Sequence, residues 1–233
     1  MATKDPILIT GIPRSGTSII AGAIKQGKVW TGWTDRMFEN IPVRDNLVRP
    51  FLVKLGADPL CQYPLPELND CLNLQTWRAQ VMALVNRQGY QGGNWLYKGA
   101  SVAVLWSIWH DAFPNAKWIV VRRKTSDIVN SCLKTWTMNV FTLEENQKKV
   151  GANSAGEAWL YWVHCYEDIF RTMLKEVNAK IVWPERMVDN DYEQMEEVFD
   201  WLDMRFDMVR VKSFIQPKLW KSWEAKYGKK ESV

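Results

Sequence analysis

The segment Gly11-Ile-Pro-Arg-Ser-Gly-Thr-Ser18 gathers two glycines, three hydroxyl side chains and one guanidinium within eight residues. Between a strand and a helix, that mixture suits the cradling of an anion. Backbone N–H groups turn toward the charge, and the helix N-terminus adds the positive end of its dipole. Gly16 permits close backbone approach, Ser15, Thr17 and Ser18 add donors, and Arg14 adds a cation. A second constellation lies in residues 118–131, where a hydrophobic strand ends in Arg122 and Arg123 and the next helix carries Ser131. An arginine at the C-terminal end of a strand and a serine on the following helix can converge on one phosphate, because parallel sheets bind ligands at that edge. Lys98 ends another short strand, Trp95-Leu-Tyr-Lys, and so reaches the same edge.

The first loop lacks what a nucleoside-triphosphate kinase needs. The Walker A motif places Lys directly after its second Gly, and here that position is Thr17. A P-loop kinase of a small metabolite, requiring Mg²⁺, is therefore the second choice. A nucleotide-binding module without catalysis is the third.

The elements that must carry these residues follow from periodicity. Pro6 to Thr10 is an apolar run without helical spacing and reads as a buried strand; Ser15 to Gln26 reads as a helix. Val29 to Trp33 reads as a further strand, 36–66 as mostly loop, and Leu68 to Gln88 as a long helix. Then follow a strand at 95–97, a helix over 102–113, a strong strand at 117–121 and a helix over 126–136 capped by Ser126. A long amphipathic helix over 156–177, a strand at 179–183 and a helix over 193–202 close the pattern. Strands alternating with helices predict an α/β fold with a central, mainly parallel sheet flanked by helices in three layers. Residues 1–233 read as a single domain.

GIPRSGTS resembles the 5′-phosphosulfate loop, P-[RK]-S-G-T-[ST], of the sulfotransferases that use 3′-phosphoadenosine 5′-phosphosulfate (PAPS), a family with a P-loop-type fold. The resemblance implies that Pro13 to Ser18 wrap the 5′-phosphate and that Arg14 faces the transferred sulfonate. Arg123 and Ser131, eight residues apart, resemble the family's 3′-phosphate motif, although Lys124 and Thr125 depart from its usual pattern. Lys98 is similar in place to the family's strand-end Lys. Phe113-Pro-Asn-Ala-Lys117 and Trp183-Pro-Glu-Arg-Met-Val188 extend the likeness to about residues 6–205. Membranous relatives place a carboxylate base some twenty residues beyond the loop's basic residue. Asp35 fits that spacing best, and Glu39 keeps the residue type; Asp35 is favoured. His110 and His164, the alternative bases, sit in core-like and mid-helix settings.

The resemblance implies sulfonate transfer from PAPS to a hydroxyl or amine, releasing 3′,5′-adenosine bisphosphate (PAP). The acceptor is a small molecule, carbohydrate or peptide, and residues 36–94 are expected to hold its site. A net charge of +4 is too small and too scattered for a nucleic-acid binder. Four cysteines without a C-x-x-C pair and only two histidines predict no metal site. The N-terminus shows no signal-peptide core and no apolar run spans a membrane, so a cytoplasmic enzyme without an anchor is expected.

Overall fold

The computed structural model describes residues 4–68, 75–217 and 220. Four parallel strands form the sheet: β1 (Ile7–Gly11), β2 (Leu96–Lys98), β3 (Lys117–Val121) and β4 (Ala179–Val182), in the order β2-β1-β3-β4. β1 lies at the centre, with Ile7 paired to Leu96 on one side and to Lys117 on the other. That register brings Gly11 level with Val121, so the loops after β1 and β3 leave the sheet side by side.

Alternate residues of the strands feed two cores. Leu8, Trp118 and Val120 join one, which also takes Trp109, Trp159, Trp162 and Tyr166. Ile7, Ile9, Ile119 and Val121 join the other, with Ile20 and Ile24 of the helix Thr17–Lys25 and Phe199 of Glu193–Trp201. A strand buried on both faces has no polar side to show, which is why β1 and β3 read as unbroken apolar runs. The expected three-layer α/β architecture is therefore present.

Several boundaries move. Val29 to Trp33 forms no strand; a single bridge joins Trp30 to Trp95, because the chain turns at Gly32 (φ 66°) and leaves Trp33 64% exposed. The helix expected over 102–113 is two, Ser101–Val104 and Trp106–Ala112, broken at Leu105 where φ is −113° and ψ 24°. Ser126 caps nothing: the helix begins at Thr125 with Lys124 in the cap position, and it ends at Lys134. Residues 36–66 hold more helix than expected, namely Ile41–Val43 and Arg49–Lys54 with a π-helical turn Arg44–Val48 between them. Asn40 accepts the Val43 N–H at 3.1 Å and so starts the run. Of the helix expected over 68–88, Gln75–Arg87 is present, and 69–74 lie outside the described residues. Among the described residues, no helix is long and apolar enough to cross a membrane.

Candidate active site

The loop after β1 is held by its own backbone. Ser15 N–H donates to the Ile12 carbonyl at 2.9 Å, and Ile19 N–H closes the first helical turn onto Gly16 at 3.0 Å. Gly11 has no room for a side chain, since a Cβ would stand 2.5 Å from Ser15 Oγ and 2.6 Å from the Val121 carbonyl. Gly16 sits at φ 96°, and Arg14 adopts the left-handed region at φ 77° without being glycine. That conformation costs an L-residue about 1–2 kcal/mol, a kind of strain that clusters where ligands bind. Ser15 Oγ is buried and has no hydrogen-bond partner.

Gly16 also packs closely. A Cβ there would meet the Trp220 ring at 2.6 Å and Pro184 at 2.9 Å. Gly16→Ala is expected to destabilise the fold by about 1–2 kcal/mol. In a chain of this size that is a fall in Tm of about 3–6 °C in a calorimetric scan.

The second constellation meets the first. Arg14 Nε donates to Ser131 Oγ at 3.0 Å, and Arg123 Nη1 donates to the Arg14 carbonyl at 3.2 Å. Arg122 faces elsewhere, pairing with Glu167 at 2.5 Å and lying on the Phe170 ring. Of the two adjacent arginines, the structure therefore brings only Arg123 to the loop. Burial lowers the proton affinity of Arg14; Cys132 counters this in part, and the nearby Arg123 charge adds to it. Two guanidiniums held together and half withdrawn from water make a site that favours an anion.

Lys98 is 4% exposed at the end of β2, and Thr10 Oγ1 ties the neighbouring strand to the Gly99 carbonyl at 3.1 Å. Its ammonium donates to Glu39 Oε1 at 2.9 Å, while Arg44 Nη1 lies 3.4 Å from Glu39 Oε2. Asp35 is placed differently. Its carboxylate accepts the backbone N–H groups of Met37 at 2.8 Å and Glu39 at 3.1 Å, and it pairs with Arg44. Burial alone would raise its proton affinity. The two N–H groups and the Arg44 guanidinium outweigh that and hold the carboxyl below its usual 3.8.

A carboxyl whose affinity for protons falls on folding stabilises the fold above the unfolded pKa, and the contribution disappears as pH drops through the folded value. Asp35→Asn is thus expected to lower the urea midpoint at pH 7. The gap to wild type should close as pH falls below about 3.8, the ordinary value for this group.

These parts share one cavity of about 970 Å³. Arg14, Thr17, Arg123 and Ser131 line one side of it, and Glu39 and Lys98 another. Pro13, Gly16 and Ser18 also line it, whereas Asp35, His110 and His164 do not. Among the lining residues to which sequence reasoning committed no role are Arg44, Glu185 and Trp220. The Trp220 ring lies 4.5 Å from the Arg123 guanidinium, and Glu185 Oε1 lies 3.6 Å from Arg123 Nε. Glu185 falls in a segment already noticed, Trp183 to Val188, but nothing in its spacing marks it as a site residue.

Among the described residues, the buried side-chain atoms without a hydrogen-bond partner are two tryptophan nitrogens, three atoms of residues that line this cavity and one atom of Ser15, which lies in the loop but does not line the cavity. The three are Arg123 Nε and both oxygens of Glu185. Each such atom costs about 1–3 kcal/mol, and three of the six belong to two residues that line this cavity. No group of three or more His, Cys, Asp or Glu residues able to hold a metal occurs among the described residues.

A model of the sulfotransferase family matches residues 6–208. No curated protein sequence matches the chain. A sulfotransferase of Mycobacterium avium superposes with a TM-score of 0.57 at 13% identity, over 97% of this chain and 69% of its own. The sulfotransferase domain of the curacin biosynthetic pathway gives 0.56 at 13% identity, covering 92% and 79%. That of the Synechococcus olefin synthase gives 0.56 at 15% identity, covering 100% and 90%. At these identities the superpositions speak for the fold.

Proposed function

Because the chain belongs to the sulfotransferase family, we propose that it transfers a sulfonate group from PAPS to a hydroxyl or amine acceptor. The observation that carries this reading is the contact of the two anion-binding constellations, Arg14 on Ser131 at 3.0 Å and Arg123 on the Arg14 carbonyl at 3.2 Å. PAPS carries a phosphate at each end of its ribose, and it needs two adjacent anion sites on one rim of the sheet.

The chain's residues fit that ligand. Pro13 to Ser18 would hold the 5′-phosphate, since Pro13, Arg14, Gly16, Thr17 and Ser18 line the cavity at the start of the helix. Arg123, with an unused Nε, and Ser131 would hold the 3′-phosphate. When bound, PAPS supplies the sulfonate and a bisphosphate leaving group.

The residues then divide the work of positioning and charge stabilisation that dominates in-line transfer of this kind. Arg14 and the helix N-terminus at Thr17 offset the negative charge on the leaving phosphate. Lys98 holds Glu39 on one side and faces the cavity on the other. Glu39 takes the acceptor's proton. A carboxylate oxygen has two lone pairs, so the contacts to Lys98 and Arg44 leave capacity for an acceptor hydroxyl. We prefer Glu39 to Asp35, the choice from spacing, because Asp35 spends its oxygens on the Met37 and Glu39 N–H groups and on Arg44. The acceptor enters over the wall formed by Arg36, Met37, Val48, Arg49, Pro59 and Leu60, within the segment 36–94.

Incubation with sulfur-labelled PAPS and a panel of alcohols, sugars, tyrosyl peptides and amines tests this. Label should pass to at least one acceptor class without Mg²⁺. Phosphate transfer from Mg-ATP to the same panel, with none from PAPS, would replace this reading with a kinase.

A further inference from the structure

Glu185 is a half-buried charge of the cavity to which PAPS binding gives no task. It opens the short helix Pro184–Val188, just beyond β4. Both its oxygens are withdrawn from solvent and accept no hydrogen bond of good geometry. Its ion-pair partner is Arg123, whose Nε stands 3.6 Å from Oε1 and also makes no hydrogen bond. A contact of that length attracts without fixing direction. The same Arg123 Nε lies 3.9 Å from Asp127, and Arg123 Nη1 holds the Arg14 carbonyl.

The charges around Glu185 compete. Burial is the largest influence and raises its proton affinity; Asp127, from the helix after β3, acts in the same direction. Its own backbone N–H, Arg123 and Lys124 oppose them. On its own helix, Arg186 is engaged with Asp191 and Glu193, and Asp189 lines the cavity. Arg123 thus forms the only ion pair of Glu185 among the described residues, and Arg123 is the residue assigned to a ligand phosphate.

We propose that Glu185 is a positioning residue for Arg123, a counter-ion that the ribose phosphate of the nucleotide displaces, and that binding carries proton uptake by Glu185. The exchange balances. Arg123 trades a carboxylate for a phosphate, and the carboxylate, left buried beside a new negative charge, takes a proton from solvent to become neutral. This inference rests on Arg123 as the 3′-phosphate residue. A nucleotide without that phosphate leaves the Arg123–Glu185 pair intact and draws no proton. The device weakens product binding as pH rises, since the neutral form of Glu185 is then harder to reach.

Calorimetric titration with PAP and with 5′-AMP, each in two buffers of different ionisation enthalpy between pH 6 and pH 8, measures the protons taken up. Wild type should take up more with PAP than with 5′-AMP, and its affinity for PAP should fall several-fold across that range. Glu185→Gln keeps the shape and removes the titrating group. It should abolish the excess uptake, flatten most of the pH dependence and bind PAP more tightly at pH 8. An equal excess in Glu185→Gln, or none in wild type while PAP binds, would overturn the proposal. The wild-type comparison stands even if the variant folds poorly. Absence of any PAP binding would instead overturn the nucleotide reading, and this inference with it.

Discussion

Replacing Glu39 with Gln is expected to lower kcat by about 10³-fold, within the range for loss of a general base, while PAP affinity changes by less than about threefold. The separation follows from position. Glu39 lies on the cavity wall beside Lys98, 2.9 Å from its ammonium, and its side-chain ion pairs among the described residues are with Lys98 and Arg44, neither of them assigned to the two phosphates. Gln keeps the length and one acceptor oxygen, so Lys98 retains a partner and the fold should hold. What disappears is the capacity to carry a proton away from the acceptor. Steady-state kinetics with labelled PAPS, alongside calorimetric binding of PAP, reads both quantities. Asp35→Asn supplies the contrast: it should lower stability at pH 7 and leave more than about a tenth of the turnover, because Asp35 lies outside the cavity lining and acts on the reaction only through Arg44 and the Glu39 backbone N–H. If Asp35→Asn silenced the enzyme while Glu39→Gln did not, the base assignment would be wrong.

Arg123→Ala is expected to weaken PAP binding by about 30- to 150-fold, corresponding to about 2–3 kcal/mol for a lost charge-assisted phosphate contact. The same change should affect 5′-AMP by only a fewfold, because the loop 11–18 would still hold a 5′-phosphate. Removing Arg123 also leaves Glu185 without its cation and the Arg14 carbonyl without its donor. A fall in Tm should therefore accompany the change. Arg123→Lys separates the two effects: it restores charge but not the fork of donors, and should recover stability better than affinity. Equal weakening for PAP and 5′-AMP would remove Arg123 from the 3′ end of the nucleotide.

The central strands and the loop after β1 were open to sequence reading because their physics is local. β1 and β3 are buried on both faces, so each had to be an apolar run. The loop 11–18 had to supply small residues where Gly11 meets Val121 and where Gly16 turns through φ 96°. The helical stretch over 41–54 was hidden by its prolines. Pro42 and Pro50 resemble breaks, yet Pro42 occupies the first turn of a helix, where no N–H is missed, and Pro50 follows directly on the π-helical turn. The choice between Asp35 and Glu39 was beyond local reasoning. It depends on Lys98, 59 residues from Glu39 and on another strand, and on the π-helical turn that presents Arg44. Trp220 was beyond local reasoning for the same cause, since only the folded chain lays it on Arg123.

The most direct test is a crystal structure of the protein grown with PAP and without Mg²⁺. One nucleotide should occupy the cavity, its 5′-phosphate within hydrogen-bond distance of the backbone of residues 14–18 and its 3′-phosphate between the Arg123 guanidinium and the Ser131 hydroxyl. A PAP molecule bound with neither phosphate at Arg123 and Ser131, or an empty cavity at saturating PAP, would contradict the account.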